Sequence, residues 1–230
     1  MSNSLVRPAR TPDKSGPRTA SKINSQLDYI LIDSSGSMQG ETWFSSLESI
    51  DAYIAGVKAA NIKSHIIFQA FDTNYFDNVL FDVPIEDWEP LYNFDMVSCV
   101  GWSSTPLYDA IHTMGRRLKD LDPPRCSIVI VTDGHENASR YTDLNQAKAI
   151  LDWCRAKGWQ VTFIGANFNN RQQADLLGSN PASAIGVERR HLVDATKALA
   201  EKRKRYGLYG ENMHYTEEER QQFGGYLTKE

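Results

Sequence analysis

The apolar positions of this chain fall into two alternating kinds of segment. Short, nearly continuous apolar runs occur at 29–32, 66–71, 128–131 and 161–164. Runs of this length without polar alternation mark strands buried on both faces, as in a parallel sheet covered by helices. Between them, apolar residues recur at helical spacing: Trp43, Phe44, Leu47, Ile50, Ile54 and Val57 form one set, and Leu107, Ile111, Met114 and Leu118 a second. Leu144, Ala147, Ile150, Leu151 and Cys154 form a third, which Gly158 ends, with Lys157 in its last turn. Around 75–83 the apolar residues alternate instead of running on, with Asp72, Asp77 and Asp82 interleaved, and Pro84 and Pro90 then bracket a loop. Strand, helix and strand repeated in this manner predict a doubly wound, Rossmann-like α/β sandwich with helices on both faces.

The two ends of the chain follow other patterns. Residues 1–24 are rich in Ser, Pro, Arg and Lys and nearly devoid of large apolar side chains, a composition that cannot offset the entropy of ordering. They read as a flexible basic tail, either a solubilising leader or a peptide that docks on an acidic partner. At the other end, 195–206 predicts a short helix closing on Lys202, Arg203, Lys204 and Arg205, broken by Gly207 and Gly210. Thr216-x-x-Glu219 has the form of a capping box opening a final helical turn or two. Four adjacent cations predict a solvated helix end interacting with its dipole, with docking as the alternative. The expected organisation is a tail over 1–24, one α/β domain over 25–194 and a helical extension over 195–230.

Length and charge narrow the function. A chain of 230 residues suffices for one well-buried domain with extensions. The net charge of −4 is unevenly spread: residues 1–24 carry +4, 25–196 carry −9 and 197–230 carry +1. An acidic central domain argues against nucleic-acid binding, which needs clustered cations, and suits a cation site better. Cys99, Cys126 and Cys154 are widely spaced and predict reduced thiols in or near the core, not a disulfide framework. No apolar stretch approaches the ~20 residues of a membrane span, and the first residues lack the apolar block of a signal peptide. The expected location is cytoplasmic, or a virion if the chain is phage-encoded.

The most specific chemistry lies where the first apolar run ends, in Asp33-Ser34-Ser35-Gly36-Ser37. Three small oxygen-bearing side chains at alternate positions, with Gly36 letting the backbone turn, suit a hard divalent cation. Thr105, in Ser-Ser-Thr-Pro-Leu-Tyr-Asp-Ala-Ile, and Asp133, which ends the run Ile-Val-Ile-Val-Thr-Asp-Gly, supply what such a site still lacks. In order, spacing and context these segments resemble the metal-ion-dependent adhesion site of von Willebrand factor A domains, and the resemblance covers roughly residues 26–190.

That resemblance implies a mostly parallel sheet with an antiparallel edge strand, the latter matching 75–83. It implies a metal held by Asp33, Ser35, Ser37, Thr105 and Asp133, directly or through water, with one position open to an Asp or Glu of a partner protein. Oxygen-only ligands favour Mg²⁺, with Mn²⁺ or Ca²⁺ as alternatives, over Zn²⁺. Met38, Gln39, Gly40, Trp102, Ser103, Ser104, Gly134, His135, Glu136 and Asn137 are expected along the rim. Trp102 reads either as an interface anchor or as a loop residue packed back on the domain, and His135 as a solvent-facing loop histidine. Pro106 preorganises a helix start. Asp109 is either a group supporting the metal ligands or a carboxylate on the helix surface. Intracellular relatives imply partners such as ATP-driven chaperone-like machines, and the segment 161–167 resembles phage and bacterial members.

The leading expectation is therefore a non-enzymatic, cation-dependent adaptor or scaffold. A structural or virion-associated protein docking through its basic termini is the alternative. A Mg²⁺-dependent hydrolase fits less well. Phosphoryl-transfer enzymes that open on Asp-x-Asp need a proton donor where Ser35 stands, and Gly36 to Gly40 misses the Gly-x-Ser-x-Gly spacing. No phosphate loop or His pair at metal-ligand spacing occurs.

Overall fold

A computed structural model describes residues 24–167 and 171–224. The N-terminal tail, Asn24 apart, lies outside the described residues. The chain runs β1 (Gln26–Asp33), α1 (Glu41–Ala59), β2 (Ser64–Phe71), β3 (Asn78–Pro84), α2 (Leu107–Leu121), β4 (Cys126–Thr132), α3 (Leu144–Ala156), β5 (Gln160–Ala166), α4 (Arg171–Leu176), β6 (Ala184–Val187), α5 (Leu192–Tyr209) and α6 (Glu217–Gly224). The strands form one sheet in the order β3-β2-β1-β4-β5-β6. All neighbours are parallel except β3, which runs antiparallel to β2 at the edge. The expected α/β sandwich and its antiparallel edge strand are both present.

The strands read as continuous apolar runs because successive side chains enter different cores. Ile30 and Ile32 of β1 pack with α1 and α5 on one face, whereas Leu27, Tyr29 and Leu31 pack with α2 and α3 on the other. The apolar stripe of α1 buries Trp43, Leu47, Ile50, Ile54 and Val57, but Phe44 points to solvent. Helix α3 opens with a full capping box in which Asp143 accepts from Gln146 N and Gln146 bonds back to Asp143 N. The box expected at Thr216 and Glu219 is also formed, with bonds of 2.7 and 3.2 Å.

The C-terminal segment departs from its sequence pattern in two ways. Gly207 does not break α5: it lies inside the helix, buried where a Cβ would meet Ile62 Cδ1 at 2.8 Å. Gly210, at φ 77°, supplies the left-handed cap, its N–H donating to Tyr206 O. Nor is the Lys202–Arg205 cluster uniformly solvated. Arg203 is fully buried and forms a bidentate pair with buried Asp28 of β1, with bonds of 2.7 and 3.0 Å. Lys202 pairs with Glu219 of α6 at 2.8 Å, while Lys204 and Arg205 are exposed. Helices α1 and α5 also cross closely, since a Cβ on Gly56 would stand 2.6 Å from that of Ala200.

Doubly wound sheets bind ligands at the carboxyl ends of strands where the strand order reverses. Here the chain steps outward from β1 to β2 and β3, then returns to the far side of β1 through β4. The switch point therefore lies between the ends of β1 and β4. Asp33 is the last residue of β1, and Asp133 directly follows β4.

Candidate metal centre

At the switch point, the loops after β1 and β4 and the loop before α2 bring together five side-chain oxygens. Ser37 Oγ donates to Asp133 Oδ1 at 2.7 Å, and Ser35 Oγ lies 3.1 Å from Ser37 Oγ. Thr105 Oγ1 stands 3.5 Å from Asp33 Oδ2. The residues read from sequence as one site thus converge, although up to 100 positions separate them. Gly134 leaves room between the hydroxyls: a Cβ there would lie 3.9 Å from both Ser37 Oγ and Thr105 Oγ1.

Burial dominates the electrostatics of the two carboxylates. Asp33 is fully buried, and loss of hydration pushes its carboxyl up to about 6, against the opposing bonds from Thr132 and Ser35. Burial also raises Asp133, with Ser37 opposing. Two carboxylates balance a divalent ion, and the hydroxyls add neutral oxygens. The donor set fits Mg²⁺, Mn²⁺ or Ca²⁺ and lacks the nitrogen and sulfur ligands preferred by Zn²⁺. Among the described residues no three His, Cys, Asp or Glu side chains group as a metal site, so a cation here depends on the serine and threonine oxygens.

Several residues that hold the candidate site together were not singled out from sequence. Thr132 Oγ1 donates to Asp33 Oδ2 at 2.6 Å and accepts from Gly134 N, fixing the carboxylate against the start of the next loop. Asp72, which directly follows β2, is buried but directed elsewhere. Its carboxylate accepts from Ser34 Oγ, Asn74 N, Tyr75 N, Gly101 N and Ser103 Oγ at 2.7–3.1 Å. Those bonds occupy the lone pairs of a carboxylate and tie the first ligand loop to the loop carrying Thr105. Gly36 N adds a direct tie to Ser103 O at 2.7 Å. The available signal for Asp72 was its place at the end of an apolar run.

The expected rim residues divide. Gln39, Gly40, Ser104 and His135 are exposed beside the cluster. Met38 is instead fully buried in the core beside α1. Trp102 packs back on the domain, edge-on to Trp43 at 5.2 Å, with a left-handed backbone at φ 52°. Glu136 faces inward and accepts from Tyr108 N at 3.0 Å, satisfying a free N–H at the start of α2. Asp109 is buried, not a helix-surface carboxylate, and accepts from Arg140 N and Tyr141 N at 2.8 and 3.1 Å. Both side chains lock the loop after Asp133 onto α2.

Solved structures share this arrangement of elements. They include a von Willebrand factor type A protein from Catenulispora acidiphila, at 14% identity and a TM-score of 0.59, covering 78% of this chain and 42% of that one. The pilus adhesin SpaC from Lactobacillus rhamnosus GG is similar at 10% identity and a TM-score of 0.60, over 80% of this chain and 32% of that one. The PilB minor pilin from Streptococcus sanguinis is similar at 12% identity and a TM-score of 0.58, over 84% of this chain and 64% of that one. This chain spans less than two thirds of the length of each. Neither a family model nor a curated protein matches its sequence. The protein has a von Willebrand factor A-like fold, as its motifs implied.

Proposed function

We propose that this protein is a non-enzymatic binding module that captures a partner protein through a divalent cation. Asp33, Ser35, Ser37, Thr105 and Asp133 would hold the ion, which supplies a positive, electrophilic centre for a carboxylate. The observation that carries this reading is the convergence of two carboxylates at strand ends, Asp33 buried and Asp133 partly so, and three hydroxyls at the switch point of the sheet. Mg²⁺ is the expected ion, because the donors are all hard oxygens. The partner presents an Asp or Glu at an exposed surface.

Binding rather than catalysis is supported by the residue two places after Asp33. Ser35 offers no carboxylic acid to protonate a leaving group, and its hydroxyl is engaged with Ser37. Among the described residues no helix is long and apolar enough to cross a membrane. Cys99, Cys126 and Cys154 are all buried, as expected of thiols in or near the core.

The test is capture of partners by the tagged chain in Mg²⁺ and in EDTA, alongside Asp33→Ala and Thr105→Ala. The expected result is a partner retained only with Mg²⁺ and intact residues, with both variants folded. Capture unchanged by chelation and by both substitutions would remove the proposal.

A further inference from the structure

Thr105 lies in an irregular stretch, after Trp102 with its left-handed backbone and before the first turn of α2. No strand or helix ladder fixes it, yet it is buried. Both of its backbone polar groups are satisfied by one residue. Thr105 N donates to Asn137 Oδ1 at 2.9 Å, and Asn137 N donates to Thr105 O at 3.1 Å. Asn137 follows Asp133 by four positions, so this pair of bonds joins the second ligand segment directly to the third.

The geometry points to Asn137 as a positioning residue that sets Thr105 Oγ1 for the cation, a role that rests on the metal reading proposed above. Its own backbone is held independently. Glu136 accepts from Ala138 N and Ser139 N at 2.8 and 2.6 Å and grips Tyr108 N, while Glu136 N donates to Gln173. The Asn137 residue is itself exposed. Truncating its side chain therefore leaves the loop anchored and removes one specific tie. A buried Thr105 N–H then loses its acceptor, and the segment relaxes to find another. Asp72 secures the residues just before it, through Gly101 and Ser103, so the threonine segment has two separate supports. Removing one support shifts the hydroxyl without unfolding the loop.

The experiment measures Mn²⁺ affinity of the full chain by electron paramagnetic resonance, following the signal of free Mn²⁺. Wild type, Asn137→Ala, Asn137→Asp, Thr105→Ala and the double variant Asn137→Ala/Thr105→Ala are compared, with melting of the metal-free proteins alongside. Asn137→Ala is expected to weaken Mn²⁺ binding roughly tenfold, the scale of losses from groups that orient metal ligands. Asn137→Asp, which keeps an acceptor for Thr105 N, restores the affinity. In the Thr105→Ala background the Asn137→Ala change has no further effect, the non-additivity expected of a residue acting through its neighbour. Wild-type affinity in Asn137→Ala, or an equal loss in the Thr105→Ala background, would overturn the inference while leaving the metal reading intact. If Asn137→Ala melts early, the Asn137→Asp variant decides: weak Mn²⁺ binding with normal melting overturns the role. A wild-type chain that binds no Mn²⁺ overturns both.

Discussion

At the scale of residues, the site is governed by the cost of burying the Asp33 carboxylate. The Asp33 carboxyl titrates near 6 because burial strips its water, whereas its ordinary value is 3.8. The folded state thus holds this proton more tightly than the unfolded chain does. Its contribution favours folding at low pH and is lost as pH rises from 3.8 to about 6, amounting to about 3 kcal/mol at pH 7 without a cation. A divalent ion needs the ionised form, so protons compete with it. Mg²⁺ affinity is expected to be flat above pH 7 and to fall about tenfold per pH unit well below 6. Calorimetric titrations between pH 5 and 7.5 check this, and a constant affinity across the range would contradict it. The residues that converge at the candidate site were legible in the sequence, since Asp33 and Asp133 end apolar runs and Thr105 precedes a proline next to a helix start. The supporting contacts were not, although Asn137 itself was expected along the rim. Thr132, Asp72 and Asn137 act through contacts between loops 29 to 99 positions apart, and no local spacing encodes which loop faces which.

At the scale of elements, the instructive residue is Arg203. In sequence it is one of four consecutive cations, and composition cannot tell which of them turns inward. The helical period does so only once α5 is laid against α1, because Leu199, Arg203 and Tyr206 then share the buried face. Its partner Asp28 also accepts from Tyr53 and Ser64, so the charge pair sits in a satisfied network joining α5, α1, β1 and β2. Burial works against the Arg203 charge, and the Asp28 carboxylate together with Tyr53 and Cys126 outweighs it, so the guanidinium pKa is raised. Removing one partner of such a pair strands the other. Arg203→Ala is expected to destabilise the protein by about 3–5 kcal/mol, against less than about 0.5 kcal/mol for exposed Lys204→Ala. Urea unfolding of the two variants measures both, and equal small losses would show that the pair contributes little.

At the scale of the whole molecule, the alternation of apolar runs and helical periods was enough to predict the sandwich. Buried parallel strands carry a dense apolar signal that survives without any knowledge of partners. What escaped was β6, whose four residues Ala184–Val187 include a glycine and too little apolar length to stand out. Helix α5 likewise begins at Leu192 and packs into the same core as α1, ahead of the 195 boundary expected for an extension. The sheet places the two acidic strand ends side by side, and that adjacency turns a scattered set of oxygens into one candidate site. The net charge of −9 over residues 25–196 favours cations over anions near the domain as a whole. The central claim is that the cluster holds one divalent ion, and isothermal titration of Mg²⁺ into the purified chain addresses it most directly. The account predicts a single saturable site that disappears in Asp33→Ala while the fold persists. Absence of saturable heat in the wild-type protein, or an unchanged isotherm in Asp33→Ala, would contradict it.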